Sequence, residues 1–234
     1  MKLEGSVVLV TGANRGLGLE FSKQLLARGA AKVYAAARNP ASVTLPGVVP
    51  IQLDVTKPEE VAEAARICGD VTVLINNAGI ARLGGFLTED ADALLREQLD
   101  TNLFGVLNTS RAFASTLGRN GGGALVNILS IVSWINTPTI AAYSVSKAAA
   151  WSLTNGLRHE LRAQGTQVLG FHGGFIDTDL VRDFDVPKAT PEDVVRRTLD
   201  ALEAGKEEVA VDEPSHQVKQ GLSHGVYLTD ILAG

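Results

Sequence analysis

The chain has 234 residues, 45% of them hydrophobic, and a formal net charge of −5. That length and composition fit the core of one large α/β domain better than two small ones, and the acidic balance without long blocks of like charge argues against nucleic acid or an anionic membrane as partner. The single cysteine, Cys68, excludes an internal disulfide framework; with no signal-like segment and no apolar run of membrane-spanning length, a cytoplasmic location is expected.

Short β-branched runs alternate with longer amphipathic stretches from end to end. The first, residues 7–11, leads through Thr11-Gly12-Ala13-Asn14-Arg15-Gly16-Leu17-Gly18 into a helix predicted over 17–28. Glycines in a strand-to-helix turn let the backbone turn tightly and approach a pyrophosphate, whose charge the helix N-terminus meets. The G-x-x-x-G-x-G spacing, with no Lys-Ser or Lys-Thr after it, excludes a P-loop and favours a dinucleotide. Gly12, Asn14, Arg15, Gly16, Leu17 and Gly18 are the candidate cofactor residues of this turn.

The second strand, 32–37, ends in Ala37-Arg38, about 20 positions past the glycines, where a free ribose hydroxyl calls for an acid and a 2′-phosphate for a cation. Arg38 and Arg15 can fork around such a phosphate, so NADP(H) is preferred over NAD(H). After the third strand, 48–53, Asp54 is suited either to accept a hydrogen bond from an adenine amino group or to cap the next helix, and Val55 joins it in the cofactor set. Thr56-Lys57-Pro58-Glu59-Glu60 signals that helix, 58–68, with a hydroxyl cap, a first-turn proline and acids at the positive end of the dipole.

The fourth strand, 71–76, ends in Asn76-Asn77-Ala78-Gly79. Two buried asparagines are costly unless their amides are satisfied, and Asn77, Ala78 and Gly79 are read as bracing and opening the cofactor crevice. A helix over 89–117 carries Asn102 in an otherwise apolar stretch, which locally reads as well for a helix-bending asparagine as for a functional one. The fifth strand, 124–129, brings Ser130 to the same sheet edge, with Ser133 as the rival hydroxyl. On the helix 141–163, Tyr143 and Lys147 stand four apart on one face. A phenol titrates near ~10, and a cation within about 4–6 Å favours the phenolate, so the pair suits acid–base work; an ordinary surface Tyr and Lys one turn apart is the plain alternative.

The sixth strand, 167–172, ends in His172-Gly173-Gly174, and Thr190-Pro191-Glu192-Asp193 opens a helix over 191–204 before the last strand, 208–211. Continuous apolar strands alternating with helices give an α/β fold, a doubly wound parallel sheet of about seven strands. The tail from Pro214, with Val218, Leu222, Tyr227, Leu228, Ile231 and Leu232, is expected either to cover the sheet edge or to join an interface.

From residue 7 to about 211 these motifs, in this order, resemble the classical short-chain dehydrogenase/reductase family, in particular carbonyl reductases. The resemblance implies a single Rossmann-like domain transferring hydride between a nicotinamide and a carbonyl or alcohol. It implies Tyr143 as proton donor or acceptor, Ser130 positioning the substrate oxygen, Lys147 holding the nicotinamide ribose and depressing the Tyr143 pKa, and Asn102 supporting a water-linked proton path to Lys147. Arg15 and Arg38 fall where NADP-preferring members carry basic residues, and Ala37 where NAD-preferring members carry an aspartate. Gly174, Ile176 and Thr178 match a nicotinamide-facing segment, Ile176 through its backbone and Thr178 through its hydroxyl. Gly173 replaces the usual proline and is expected to loosen that wall, while His172 has no assigned chemistry and is expected to be structural. Members commonly pair through the helices corresponding to 89–117 and 141–163, so a homodimer or homotetramer is expected.

Ser130, Ile131, Trp134, Ile135, Phe175 and Leu180 are the expected substrate pocket, with Ile131 and Ile135 equally suited to the core. Residues 179–189 leave little length for a lid, so the pocket should be open, and its apolar character suits a small-molecule ketone or aldehyde with an aromatic or alkyl substituent. The function expected is NADPH-dependent reduction of such a carbonyl with Tyr143 as general acid and no metal. The alternatives are an alcohol or steroid dehydrogenase run oxidatively and a protein that senses NADP(H) without turnover.

Overall fold

A computed structural model describes residues 1–182 and 184–230, Leu180 through its backbone alone. Seven strands, β1 (Val7–Thr11), β2 (Lys32–Ala37), β3 (Val49–Gln52), β4 (Val73–Asn76), β5 (Ala124–Ile128), β6 (Gln167–His172) and β7 (Glu208–Ala210), pair in parallel in the order β3-β2-β1-β4-β5-β6-β7. The order reverses between β1 and β4, which opens a crevice beyond their carboxyl ends.

Strand side chains alternate between faces, and both faces are covered. Val8, Val10, Val33 and Ile75 face a core closed by Phe21 and Leu25 of α1 (Gly16–Ala27) and by Val195 and Leu199 of α6 (Pro191–Glu203). Leu9, Tyr34 and Leu74 face another, closed by Val61 of α2 (Pro58–Ile67), by Phe113 and Leu117 of α4 (Gly105–Arg119) and by Leu157 of α5 (Ala141–Glu160). Where the sequence predicts one helix over 89–117, α3 (Ala91–Leu99) runs into α4 through a widened π-type turn, Asp100–Phe104, that carries Asn102. Among the described residues no helix is long and apolar enough to cross a membrane.

One helix start needs correcting. Thr56 does not cap α2: its hydroxyl bonds Asp54 at 2.7 Å, and Glu60 reaches back to the Asp54 amide at 2.7 Å. Thr190, by contrast, does accept from the Asp193 amide at 3.3 Å. The tail forms a further helix, α7 (Glu213–Gly221), and turns to the carboxyl side of the sheet, where Val218, Leu222 and Val226 pack with Ile131, Trp134 and Ile140. Tyr227 and Leu228 stay exposed, and Ile231 and Leu232 lie outside the described residues.

The start of α1 is packed onto the glycine loop at Gly18, where a Cβ would lie 2.2 Å from the Gly12 carbonyl oxygen and 2.6 Å from Asn77 Nδ2. Gly18→Ala is therefore expected to lower unfolding free energy by roughly 1–3 kcal/mol, as overpacking does. Urea denaturation measures it; an unchanged midpoint would mean that loop and helix separate at no cost.

Candidate active site

A cavity of ≈ 1470 Å³ runs along the carboxyl ends of β1, β2, β4 and β5. Single small-ligand sites occupy roughly 300–1,000 Å³, so it has room for two molecules. At one end the glycine loop takes up left-handed backbone at Gly12 (φ 65°) and Gly16 (φ 53°), open to glycine at little cost. The α1 N-terminus behind it has no side-chain cap and no acidic residue in its first turn, so its free N–H groups fit a phosphate. Gly12, Asn14, Arg15, Gly16 and Leu17 line the cavity; Gly18 does not, because it faces the loop rather than the space.

The Asn76-Asn77 pair braces this crevice. Asn77 Nδ2 donates to the carbonyls of Thr11 at 2.9 Å and Gly12 at 3.1 Å, while the Thr11 hydroxyl accepts from the amides of Asn77 and Ala78. Asn76 donates to Asn127 at 2.9 Å and accepts from Thr109 at 2.7 Å, which ties β4 to β5 and α4 through a fully bonded buried network. Asn77, Ala78 and Gly79 then line the cavity beside Arg38, Asp54 and Val55. Burial pushes the Asp54 carboxyl up, but the Thr56 hydroxyl and amide and the Arg38 charge outweigh it and hold it below the usual carboxylate range. Arg38 is exposed at the rim. Arg15 also lines the cavity, and its guanidinium pairs with Asp179 at 3.3 Å.

Ser130, at the end of β5, lines the cavity with Tyr143, and its hydroxyl is near enough to the phenol to pull that group's pKa down. Ser133 is engaged elsewhere, its hydroxyl accepting from the Ser130 amide at 3.3 Å. Lys147 Nζ donates to the Ile128 carbonyl at 2.8 Å and lies 5.6 Å from the Tyr143 ring centroid. Enclosure pushes Tyr143 up to about 12, the nearby Ser130 hydroxyl pulling the other way, and pushes buried Lys147 down to about 8. The expected depression of Tyr143 by Lys147 is thus not found in the protein alone: desolvation of the phenol wins.

Asn102 is fully buried and does not line the cavity. Its side chain accepts from the Ile80 amide at 2.9 Å and donates to the Ile80 carbonyl at 2.8 Å and to Ser146 at 2.9 Å, so it braces the segment after β4 against α5. A Cβ at Gly79 would stand 3.2 Å from Asn102 Oδ1 and 3.7 Å from Lys147 Nζ. Gly79 thereby keeps open the space between the two side chains.

Beyond β6, Gly174, Ile176 and Thr178 line the cavity. Gly173 does not leave this wall loose: its carbonyl accepts from the Ile131 amide at 2.8 Å, and the next amide, Gly174, donates to Asp212 at 2.6 Å. A side chain at 173 would meet Phe171 at 3.0 Å, so the ring of Phe171 fills the space that would receive it. On the substrate side Ile131, Ile135 and Phe175 line the cavity, whereas Trp134 turns into the interior and stacks on His172 with centroids 3.8 Å apart. The side chain of Leu180 lies outside the described residues.

Sequence reasoning missed much of that wall: Phe184, Val186 and Lys188 from the segment after β6, and Asp212, Gln217, Val218 and Val226 from the start of α7, α7 itself and the turn after it. A signal for α7 was present in Asp212-Glu213-Pro214, the same cap, acid and first-turn proline that mark α6; Asp212 accepts from the Ser215 amide at 2.9 Å.

Because Lys147 titrates at about 8 in the folded chain against 10.5 ordinarily, the unfolded chain holds a proton that the folded chain has released between those values, and stability rises with pH across that window. Tyr143 and Cys68, both raised to about 12, act oppositely above their ordinary values of 10.0 and 9.0. Lys147 is isolated by difference: from pH 8 to 10.5 the wild type should gain on the order of 3 kcal/mol relative to Lys147→Met. Parallel stability curves in chemical denaturation would refute its desolvation.

The family model described as short chain dehydrogenase matches residues 6–188. A galactitol 2-dehydrogenase (L-tagatose-forming) of Cereibacter sphaeroides is 35% identical over 190 residues, covering 76% of this chain and 74% of that protein. The crystal structure of a short chain dehydrogenase from Burkholderia cenocepacia in complex with NADP superposes with a TM-score of 0.93 at 40% identity, covering 98% of this chain and 100% of that one. A gluconate 5-dehydrogenase from the same organism, in complex with NADP and tartrate, gives 0.81 at 25% identity, covering 96% and 98%. With its parallel seven-stranded sheet, glycine loop and Tyr143–Lys147 helix, the chain belongs to the classical short-chain dehydrogenase/reductase family of oxidoreductases.

Proposed function

We propose that the protein is an NADPH-dependent carbonyl reductase acting on a ketone or aldehyde with a bulky apolar substituent. The observation that carries this reading is the meeting of Ser130, Tyr143 and Lys147 on the floor of a cavity whose substrate side is walled by Ile131, Ile135, Phe175, Phe184 and Val218. Such a wall removes apolar surface from water and offers few partners to a polyol.

The glycine loop, the free N–H groups of α1, Asn77 to Gly79, Lys147 and the Gly174 to Thr178 wall would hold the cofactor, with Arg38 at the 2′-phosphate. When bound, the reduced nicotinamide supplies the hydride. Tyr143, protonated at neutral pH, donates the proton to the substrate oxygen as charge develops there, and Ser130 holds that oxygen through its hydroxyl. Lys147 carries most of its charge at pH 7 and stabilises the phenolate left behind. The NADP complex of the 40% identical structure supports the choice of phosphate-bearing cofactor. Pairing of two chains through the α3–α4 and α5 helices belongs to the same proposal, supported by Phe104, which is 48% exposed.

A second reading, oxidation of a polyol, is favoured by the galactitol dehydrogenase relative and by Asp212 and Gln217 in the cavity wall. Assays of bulky aryl ketones with NADPH against polyols with NADP⁺ separate the two; turnover of polyols alone overturns the reductase reading.

Tyr143→Phe is expected to retain NADPH binding by fluorescence titration and to lose roughly 10²–10⁴-fold in kcat, the worth of a general acid; near-normal turnover would remove Tyr143 from the chemistry. Arg38→Asp is expected to lower kcat/KM for NADPH roughly ten- to a hundredfold, in keeping with the loss of a charge-assisted phosphate contact, and to raise relative use of NADH. An unchanged cofactor ratio would show that Arg38 does not meet the phosphate.

A further inference from the structure

His172 is fully buried at the end of β6, directly beneath Ser130, and the proton transfer outlined above does not use it. A buried imidazole is costly unless its nitrogens are directed at partners. Here Nδ1 lies 3.1 Å from the Ser130 carbonyl oxygen; because that oxygen only accepts, the proton must sit on Nδ1 for the contact to bind. Nε2 faces Glu208 Oε2 at 3.4 Å, without completing a hydrogen bond of good geometry. The ring is further fixed by Trp134, stacked at 3.8 Å with planes 16° apart.

Glu208 is itself anchored. Trp151 Nε1 donates to it at 3.3 Å, and Lys219 of α7 pairs with its other oxygen. Glu208 thus ties α7 to α5 beside the buried ring.

Ser130 depends on such support. Its hydroxyl makes only long contacts with the backbone, 3.4 Å to the Gly173 carbonyl and 3.3 Å from the Val132 amide, so its aim is set chiefly by how its own peptide is held. The Ser130 carbonyl accepts from the Ser133 amide at 3.0 Å and, from outside its own turn, from His172 at 3.1 Å.

We propose that His172 is a positioning residue for Ser130: held by the Trp134 stack, its Nδ1–H holds the Ser130 carbonyl and keeps the serine hydroxyl aimed at Tyr143. This rests on the reading of Ser130 as the group that holds the substrate oxygen.

The test is a mutant cycle measured with NADPH and a ketone that the wild type turns over. His172→Leu is expected to lower kcat roughly ten- to a hundredfold with KM for NADPH unchanged, the scale of effect that misplacement of a reacting group produces. His172→Asn, whose short amide can donate to the same carbonyl, should recover most of that loss. On a Ser130→Ala background His172→Leu should cost no more than about twofold further, because groups acting through one another are non-additive. Should His172→Leu not fold, Trp134→Leu, which removes the stack on the imidazole, takes its place, with a severalfold loss expected that likewise vanishes on the Ser130→Ala background. Wild-type kcat in His172→Leu, failure of His172→Asn to recover, or a loss that adds in full to Ser130→Ala would each overturn the proposal. Full turnover by Ser130→Ala alone would overturn the serine's role and this inference with it, an outcome distinct from a silent His172→Leu.

Discussion

A sheet covered on both faces shuts water out from the polar groups buried just inside its carboxyl edge, so each of those must find a protein partner. That constraint shapes this site more than any single contact does. Asn76, Asn77, Asn102 and Asn127 are buried or half-buried along one band, and between them they bond Thr11, Thr109, Ser110, Ser146 and Thr154. The band spans β1, β4, β5, α4 and α5, so it fixes their relative heights. Ser130, Tyr143 and Lys147 stand on elements whose register that band has set.

The same constraint explains the widened turn at Asp100–Phe104. A regular helix would point its side chains in fixed steps, and Asn102 has to meet the amide and carbonyl of Ile80 and the hydroxyl of Ser146 together. One extra residue in the turn accommodates the three contacts, in keeping with the tendency of such bulges to mark functional helices.

The strands were legible because apolar runs between turn signals leave little choice, and β1, β2 and β6 match their predicted limits to the residue. The glycine loop, Asn77 to Gly79, Ser130, Tyr143 and Lys147 were legible for another reason: each is an unusual residue type at a strand tip or at helical spacing. What escaped was decided by distance. Trp134 reads as pocket from its neighbours Ile131 and Ile135, and only the fold brings His172 beneath it as a stacking partner. Thr56 reads as the cap of α2 until its hydroxyl turns back on Asp54, and the α7 wall depends on a tail whose destination no local pattern encodes. The sign of the Tyr143 shift likewise needed depth of burial, which spacing on a helix does not contain.

The Arg15–Asp179 pair joins the glycine loop to the segment after β6, partners 164 residues apart in the chain, and it bridges the mouth of the cofactor groove. Both side chains are largely open to solvent, so the pair contributes no more than about 1 kcal/mol and weakens with salt. It therefore acts as a light latch rather than a lock. Such a latch biases the resting position of the two rims without barring passage between them, and its grip varies with the ionic strength of the surroundings.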